Sequence, residues 1–180
     1  MANAPRNYWM VSVWPEYFDA CAEKDFSVLA MGRQQRRRVQ RMEIGDRVLF
    51  YVMHRLVFGA IASISGTHYE DKTPLWDGFE GSDPLAWRVK TKPDVVPDAD
   101  HVLDARLIAP RMEYVKRWAP EDWPLAFQGL LHLIPKRDFQ LIEHEMRRGR
   151  RRPDVVFTPD PRHGPHAREA QYVGRPGEDA

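Results

Sequence analysis

The densest hydrophobic patterning lies in residues 42–65, MEIGDRVLFYVMHRLVFGAIASIS, where two extended apolar runs cover 47–53 and 56–64. Val, Leu, Phe, Tyr and Ile dominate both runs, and these residues fill a pleated, half-buried surface well. His54 and Arg55 are the one polar break between them, which predicts a hairpin turn there. Gly45-Asp46 is a turn signal feeding the first strand. Gly59, inside the second strand, predicts a bulge or a close backbone approach. A lone hairpin is marginal in water, so the rest of the chain is expected to close a sheet around it.

Residues 8–13, YWMVSV, read as a strand ended by Pro15, with Trp14 at its mouth. Residues 15–24 read as short helical or irregular chain, and 26–31 as a short apolar strand. Five arginines fall between Arg33 and Arg41, and Arg33, Arg37 and Arg41 share one face of a predicted helix. Residues 66–86, rich in Gly, Pro, Asp and Thr, predict a long loop holding Tyr69, Trp76 and Phe79. Residues 87–92 alternate as a strand with Arg88, Lys90 and Lys92 exposed, ended by Pro93. Residues 104–118 show mixed helical patterning broken at Pro110, and 125–134 read as a final strand. Residues 135–148 form the clearest helix. Phe139, Ile142 and Met146 make its apolar stripe, Asp138 stands in its first turn, and Arg147-Arg148 stand in its last.

From residue 149 onward the pattern changes. Five Pro, four Gly and few large apolar residues predict a disordered basic tail over 149–180, leaving 7–147 as the folded domain. The net charge of +1 hides this asymmetry: residues 147–180 hold eight of the 27 basic groups and five of the 26 acidic ones. The body is close to neutral, so any nucleic-acid contact it makes must be local. No apolar run reaches the ~20 residues of a membrane span, and the first residues are not a signal peptide, so no membrane partner is expected. Cys21 is the one cysteine, which excludes an internal disulfide and fits a reducing, cytoplasmic location.

Several blocks together resemble a known family. They are YWMVSVWP at 8–15, the Met31-Gly32-Arg33 step, RMEIGDRVLFY at 41–51, and Asp122-Trp123 followed by GLLHLIPKRDFQLI at 129–142. The chain is similar to the EVE domain, a member of the PUA-like superfamily with the YTH and ASCH domains. The resemblance implies an α+β fold, a small, strongly bent mixed β-barrel with flanking helices. It also implies a reader that holds a flipped, modified base of DNA or RNA in an aromatic pocket. Extrusion is feasible because an altered base is held between aromatic faces once it leaves its stack.

Carried onto this sequence, the resemblance places the ligand pocket at Ser12, Trp14, Gly32, Arg33, Tyr51, Trp118, Trp123, Phe127 and Gln128. Trp14 and Trp118 would stack on the base, while Ser12, Tyr51 and Gln128 would bond its edge. Gly32 would allow close backbone approach. Arg33, Arg36, Arg37 and Arg41 would grip phosphate, with a solvated helix face as the plain alternative. Related chains often carry Arg at the position of Gln128 and a His-Gly-Lys step at 31–33, so this pocket is less charged.

No dinucleotide fingerprint, Walker loop, His-Glu-x-x-His or Cys/His metal spacing is present, and no cofactor or metal is expected. The expected function is a non-enzymatic binding module whose partner is nucleic acid with a modified base. A small-molecule or protein-interaction module using the same pocket, and a PUA-like enzyme, stay open as alternatives.

Overall fold

A computed structural model describes Pro5, residues 7–79 and residues 81–149. Of the tail expected over 149–180, Gly149 closes the last helix instead, and the rest lies outside the described residues. Seven strands form one mixed sheet: β1 (Tyr8–Val13), β2 (Val28–Met31), β3 (Arg47–Val52), β4 (Val57–Glu70), β5 (Trp87–Val95), β6 (Leu103–Asp104) and β7 (Leu131–Leu133). The order is β2-β5-β4-β3-β1-β7, with β6 added to β4. β1 runs parallel to β3, and the remaining pairs are antiparallel. The sheet curls into a half-barrel.

Period-2 alternation accounts for two separate cores. Trp9, Val11, Val13, Val48, Phe50, Ala60 and Ala62 face one core, with Tyr17 and Cys21 of α1 (Pro15–Glu23). Met10, Leu49, Tyr51, Phe58 and Ile61 face the other. That second face is covered by α3 (Ala105–Ile108), α4 (Trp123–Ala126) and α5 (Lys136–Gly149). Gly59 supplies the expected bulge: the register shifts so that Phe50 pairs with Ala60 and Tyr51 with Phe58. The extra residue sends Phe58 and Ile61, three apart, to the same face. A Cβ at Gly59 would stand 2.5 Å from the Phe18 ring, so the backbone is approached closely as well.

Four expectations are corrected. The hairpin turn spans 53–56, with His54 and Leu56 at positive φ, so it is wider than two residues. β4 continues to Glu70, which puts Tyr69 in a strand and shortens the loop to 71–86. β5 passes through Pro93, and Arg88 is buried: it donates to Leu85 O and Thr73 O and pairs with Asp71 at 2.9 Å. The loop wraps the guanidinium, so the side chain expected in solvent anchors it. Residues 125–130 are not strand. Pro124 stands in the first turn of α4, Gly129 turns at φ +91°, and only Leu131–Leu133 pair with β1.

The arginine-rich segment is also shorter than one helix. It is a 3-10 turn, Arg33–Gln35, followed by α2 (Arg36–Val39). Its place explains its form, because it spans the open seam of the half-barrel. Arg36 lies over the Trp87 ring of β5 at 4.5 Å, and Arg38 donates to the Leu131 carbonyl of β7. Val39, fully buried, plugs the gap between them.

Candidate nucleic-acid interface

An open groove of about 430 Å³ lies beside this seam, lined by Glu113, Tyr114, Arg117, Trp118, Leu125 and Ala126. Its wall is a run of short turns closed by local backbone bonds such as Lys116 N–H to Glu113 O and Trp118 N–H to Val115 O. Asp138 of α5, buried, ties this wall to the helix: its carboxylate accepts from the backbone N–H of Glu113 at 2.9 Å and of Tyr114 at 2.8 Å. The first-turn acid expected to suit the α5 dipole thus has a second role.

Below the groove lies an aromatic floor. Tyr51, Trp123 and Phe127 pack edge to face, with ring centroids 4.9 Å apart for Tyr51–Phe127 and 5.3 Å for Trp123–Phe127. All three are buried. Ser12 is buried too, and its hydroxyl donates to the Phe127 carbonyl at 3.0 Å. Ser12, Tyr51, Trp123 and Phe127 are therefore buried and do not line the groove, and Phe127 packs against Tyr114 of its wall with ring centroids 6.4 Å apart. Gly32 is likewise approached by the chain itself. The carboxylate of Asp83 takes the Arg33 N–H at 2.7 Å and would stand 2.5 Å from a Cβ on Gly32.

Other expected residues are accessible. Trp118 is 43% exposed and lines the groove, and Gln128 is exposed near its edge. Trp14 is half-buried at the end of β1, edge-on to the His54 ring at 4.3 Å. Arg33, Arg36, Arg37 and Arg41 are exposed, and among the described residues none of them forms an ion pair with a carboxylate.

One pair was not expected. The Tyr114 hydroxyl and His132 Nδ1 are 2.8 Å apart, and His132 Nε2 is 2.9 Å from the Gly129 carbonyl. A carbonyl only accepts, so Nε2 carries the proton and Nδ1 accepts from the tyrosine. Burial holds the imidazole below its ordinary pKa, and the Arg38 charge acts the same way against hydrogen bonds to the Gly129 and Phe127 carbonyls. Burial raises the Tyr114 phenol, with Arg38 opposing. Arg38 bonds the Leu131 carbonyl, so the arginine segment meets β7 one residue from the histidine that bonds the groove wall.

No group of three or more potential metal ligands occurs among the described residues. No helix there is long and apolar enough to cross a membrane.

No curated protein matches the chain in sequence. Solved structures match in fold. A hypothetical protein from Leishmania major is 18% identical, with TM-score 0.55, covering 82% of this chain and 98% of that one. The YTH domain of Zygosaccharomyces rouxii MRB1, solved with N6-methyladenosine RNA, is 14% identical, with TM-score 0.58, covering 81% and 91%. The Pho92 YTH domain, solved with m6A, is 11% identical, with TM-score 0.56, covering 87% and 94%. At these identities the likeness concerns the fold. The family model for the EVE domain matches residues 7–125, from the strand carrying Trp9 to the groove wall at Leu125, and on that match the chain belongs to the EVE domain family.

Proposed function

We propose that the chain is a nucleic-acid-binding module that receives a flipped, modified base in the Tyr114–Trp118 groove and grips the flanking phosphates with Arg33, Arg36, Arg37 and Arg41. The observation that carries this reading is the position of Arg38, which joins the arginine segment to the Leu131 carbonyl, one residue before the His132 that bonds Tyr114 of the groove wall. A base in the groove would then have its own backbone within reach of exposed guanidinium groups, which favour phosphate. Trp118 offers the stacking face, and Gln128 a polar group at the edge. Two structural relatives solved with N6-methyladenosine RNA or m6A support a modified base as the ligand class.

We read the module as a binder rather than an enzyme. Cys21, the chain's one thiol, is pushed up to about 12 by burial, which leaves it a poor nucleophile.

The test compares two variants in competition binding with modified and unmodified oligonucleotides. Trp118→Ala is expected to remove the preference for the modified base, since stacking is worth about 1–3 kcal/mol per base, while background affinity remains. Arg33, Arg37 and Arg41 replaced together by Ala should weaken all strands alike. The salt dependence should flatten by about 0.7–0.9 in log-log slope per lost phosphate contact. An unchanged slope would remove those arginines from the interface.

A further inference from the structure

The Tyr114–His132 pair carries a consequence for which base the groove accepts. Resting on the reading above, we propose that His132 fixes Tyr114 as a hydrogen-bond acceptor, so that the groove selects bases presenting an N–H donor over bases whose polar edge only accepts. A tyrosine hydroxyl has one proton and two lone pairs. Here the proton is spent on Nδ1, and Nδ1 cannot donate back because the single imidazole proton is committed to the Gly129 carbonyl. Tyr114 itself lines the groove and is half-buried. What its oxygen has left for a ligand is therefore lone pairs. A base edge made of acceptors alone would meet another acceptor there in a partly desolvated place, which costs more than the bond it fails to make.

The other polar groups along the groove compete with water. The Glu113 carboxylate only accepts, Arg117 and the Trp118 indole N–H donate, and all three residues are exposed, so the half-buried Tyr114 is the polar residue of the wall least accessible to solvent. Asp138 removes slack, since it holds the Tyr114 backbone at 2.8 Å and so sets where the ring points. His132 is in these terms a positioning residue acting through Tyr114. Among the described residues, the charged and titratable groups that face it are Tyr114 and Arg38. If His132 takes a second proton, Nδ1 becomes a donor to the tyrosine oxygen. The tyrosine proton is then free to turn toward the ligand, and the preference should fade.

The experiment uses fluorescence polarisation with the full chain and single strands that differ only at one central base: cytosine or pyrimidin-2-one, adenine or unsubstituted purine, or an abasic site. At pH 7.5 the wild type is expected to favour cytosine over pyrimidin-2-one and adenine over purine by about tenfold, the low end of a good base-edge contact. Tyr114→Phe should bring both ratios to within about twofold and leave the purine strand's affinity unchanged. Arg117→Ala should leave the ratios intact. As pH is lowered, the wild-type ratios should decline toward those of Tyr114→Phe, whose own ratios stay flat; a change in fold alone would not move the two proteins differently. A wild-type preference for the bases that lack an N–H, or ratios that survive Tyr114→Phe, would overturn the lock while leaving base binding in the groove intact. Equal affinity for the abasic strand and every base would overturn the base-reading function and the lock together.

Discussion

Two buried polar knots tie distant parts of this chain together, and they differ in one respect. At one end of the sheet, Asp46 accepts from Asn7 N, Asn7 Nδ2, Trp9 Nε1 and Glu43 N. Every one of those donors belongs to the chain, so the knot is closed. At the other end, Tyr114, His132 and the Gly129 carbonyl form a relay in which each proton is committed, yet the tyrosine that starts it lines an open groove. A closed knot fixes structure. A knot with unused acceptor capacity at a groove is equipped to recognise something.

That contrast can be broken by mutation. Asp46→Ala would strand donors of Asn7, Trp9 and the turn before β3, and the expected loss is about 3–5 kcal/mol, since each buried donor left without an acceptor costs about 1–3 kcal/mol. Urea unfolding measures it, and a loss under about 1 kcal/mol would mean that the knot is not closed. Within the groove the same split should separate two tryptophans. Trp123→Ala, at the buried floor, is expected to cost about 3–5 kcal/mol. Trp118→Ala, on the exposed wall, should stay within about 0.5 kcal/mol in stability and act on binding instead. Equal losses would erase the distinction between floor and wall.

Smaller effects sharpen the second knot. Tyr114→Phe deletes one hydrogen bond and should lower stability by about 0.5–1.5 kcal/mol, far less than Asp46→Ala, while changing base preference. The pH response should be smaller still. Folded, His132 protonates less readily than unfolded, where its ordinary value is 6.5. Its contribution is therefore complete above that value. It declines as pH falls below it, because the unfolded chain takes up the proton first. The decline stops once the folded imidazole itself protonates. Comparing urea midpoints of wild type and His132→Gln between pH 7.5 and 5.5 isolates this part. A wild type that loses no more stability than the variant would contradict a buried, neutral His132.

The residues that declared themselves in sequence are those whose role is local. The alternation in 8–13 and 47–64 reported the strands, and Gly59 reported its bulge, because period and glycine conformation act over a few residues. The α5 stripe of Phe139, Ile142 and Met146 reported its buried face in the same way. The groove was less legible. Tyr114 and His132 are 18 residues apart, and Asp138 reaches back 24 residues to the Tyr114 backbone. No periodicity links them until the sheet curls and α5 docks. Arg88 misled for a related reason. Its strand alternates as an exposed face would, but the 71–86 loop folds over it, and only the tertiary contact buries the charge. The aromatic residues in the family's pattern did not announce their burial, since Trp118 and Trp123 look alike in sequence and one is exposed while the other is buried.

The central claim is that base and backbone are held on one face, the groove taking the base and the arginine segment its phosphates. Photo-crosslinking of a single strand bearing one photoreactive base, followed by peptide mass spectrometry, reads this directly. The account predicts crosslinks from that base to the stretch holding Tyr114 and Trp118, competed by a modified strand and weakened when Arg33, Arg37 and Arg41 are replaced. Crosslinks that instead map to the second depression of the surface, beside Lys24, Tyr69 and Lys90, and that ignore the arginine substitutions, would contradict it.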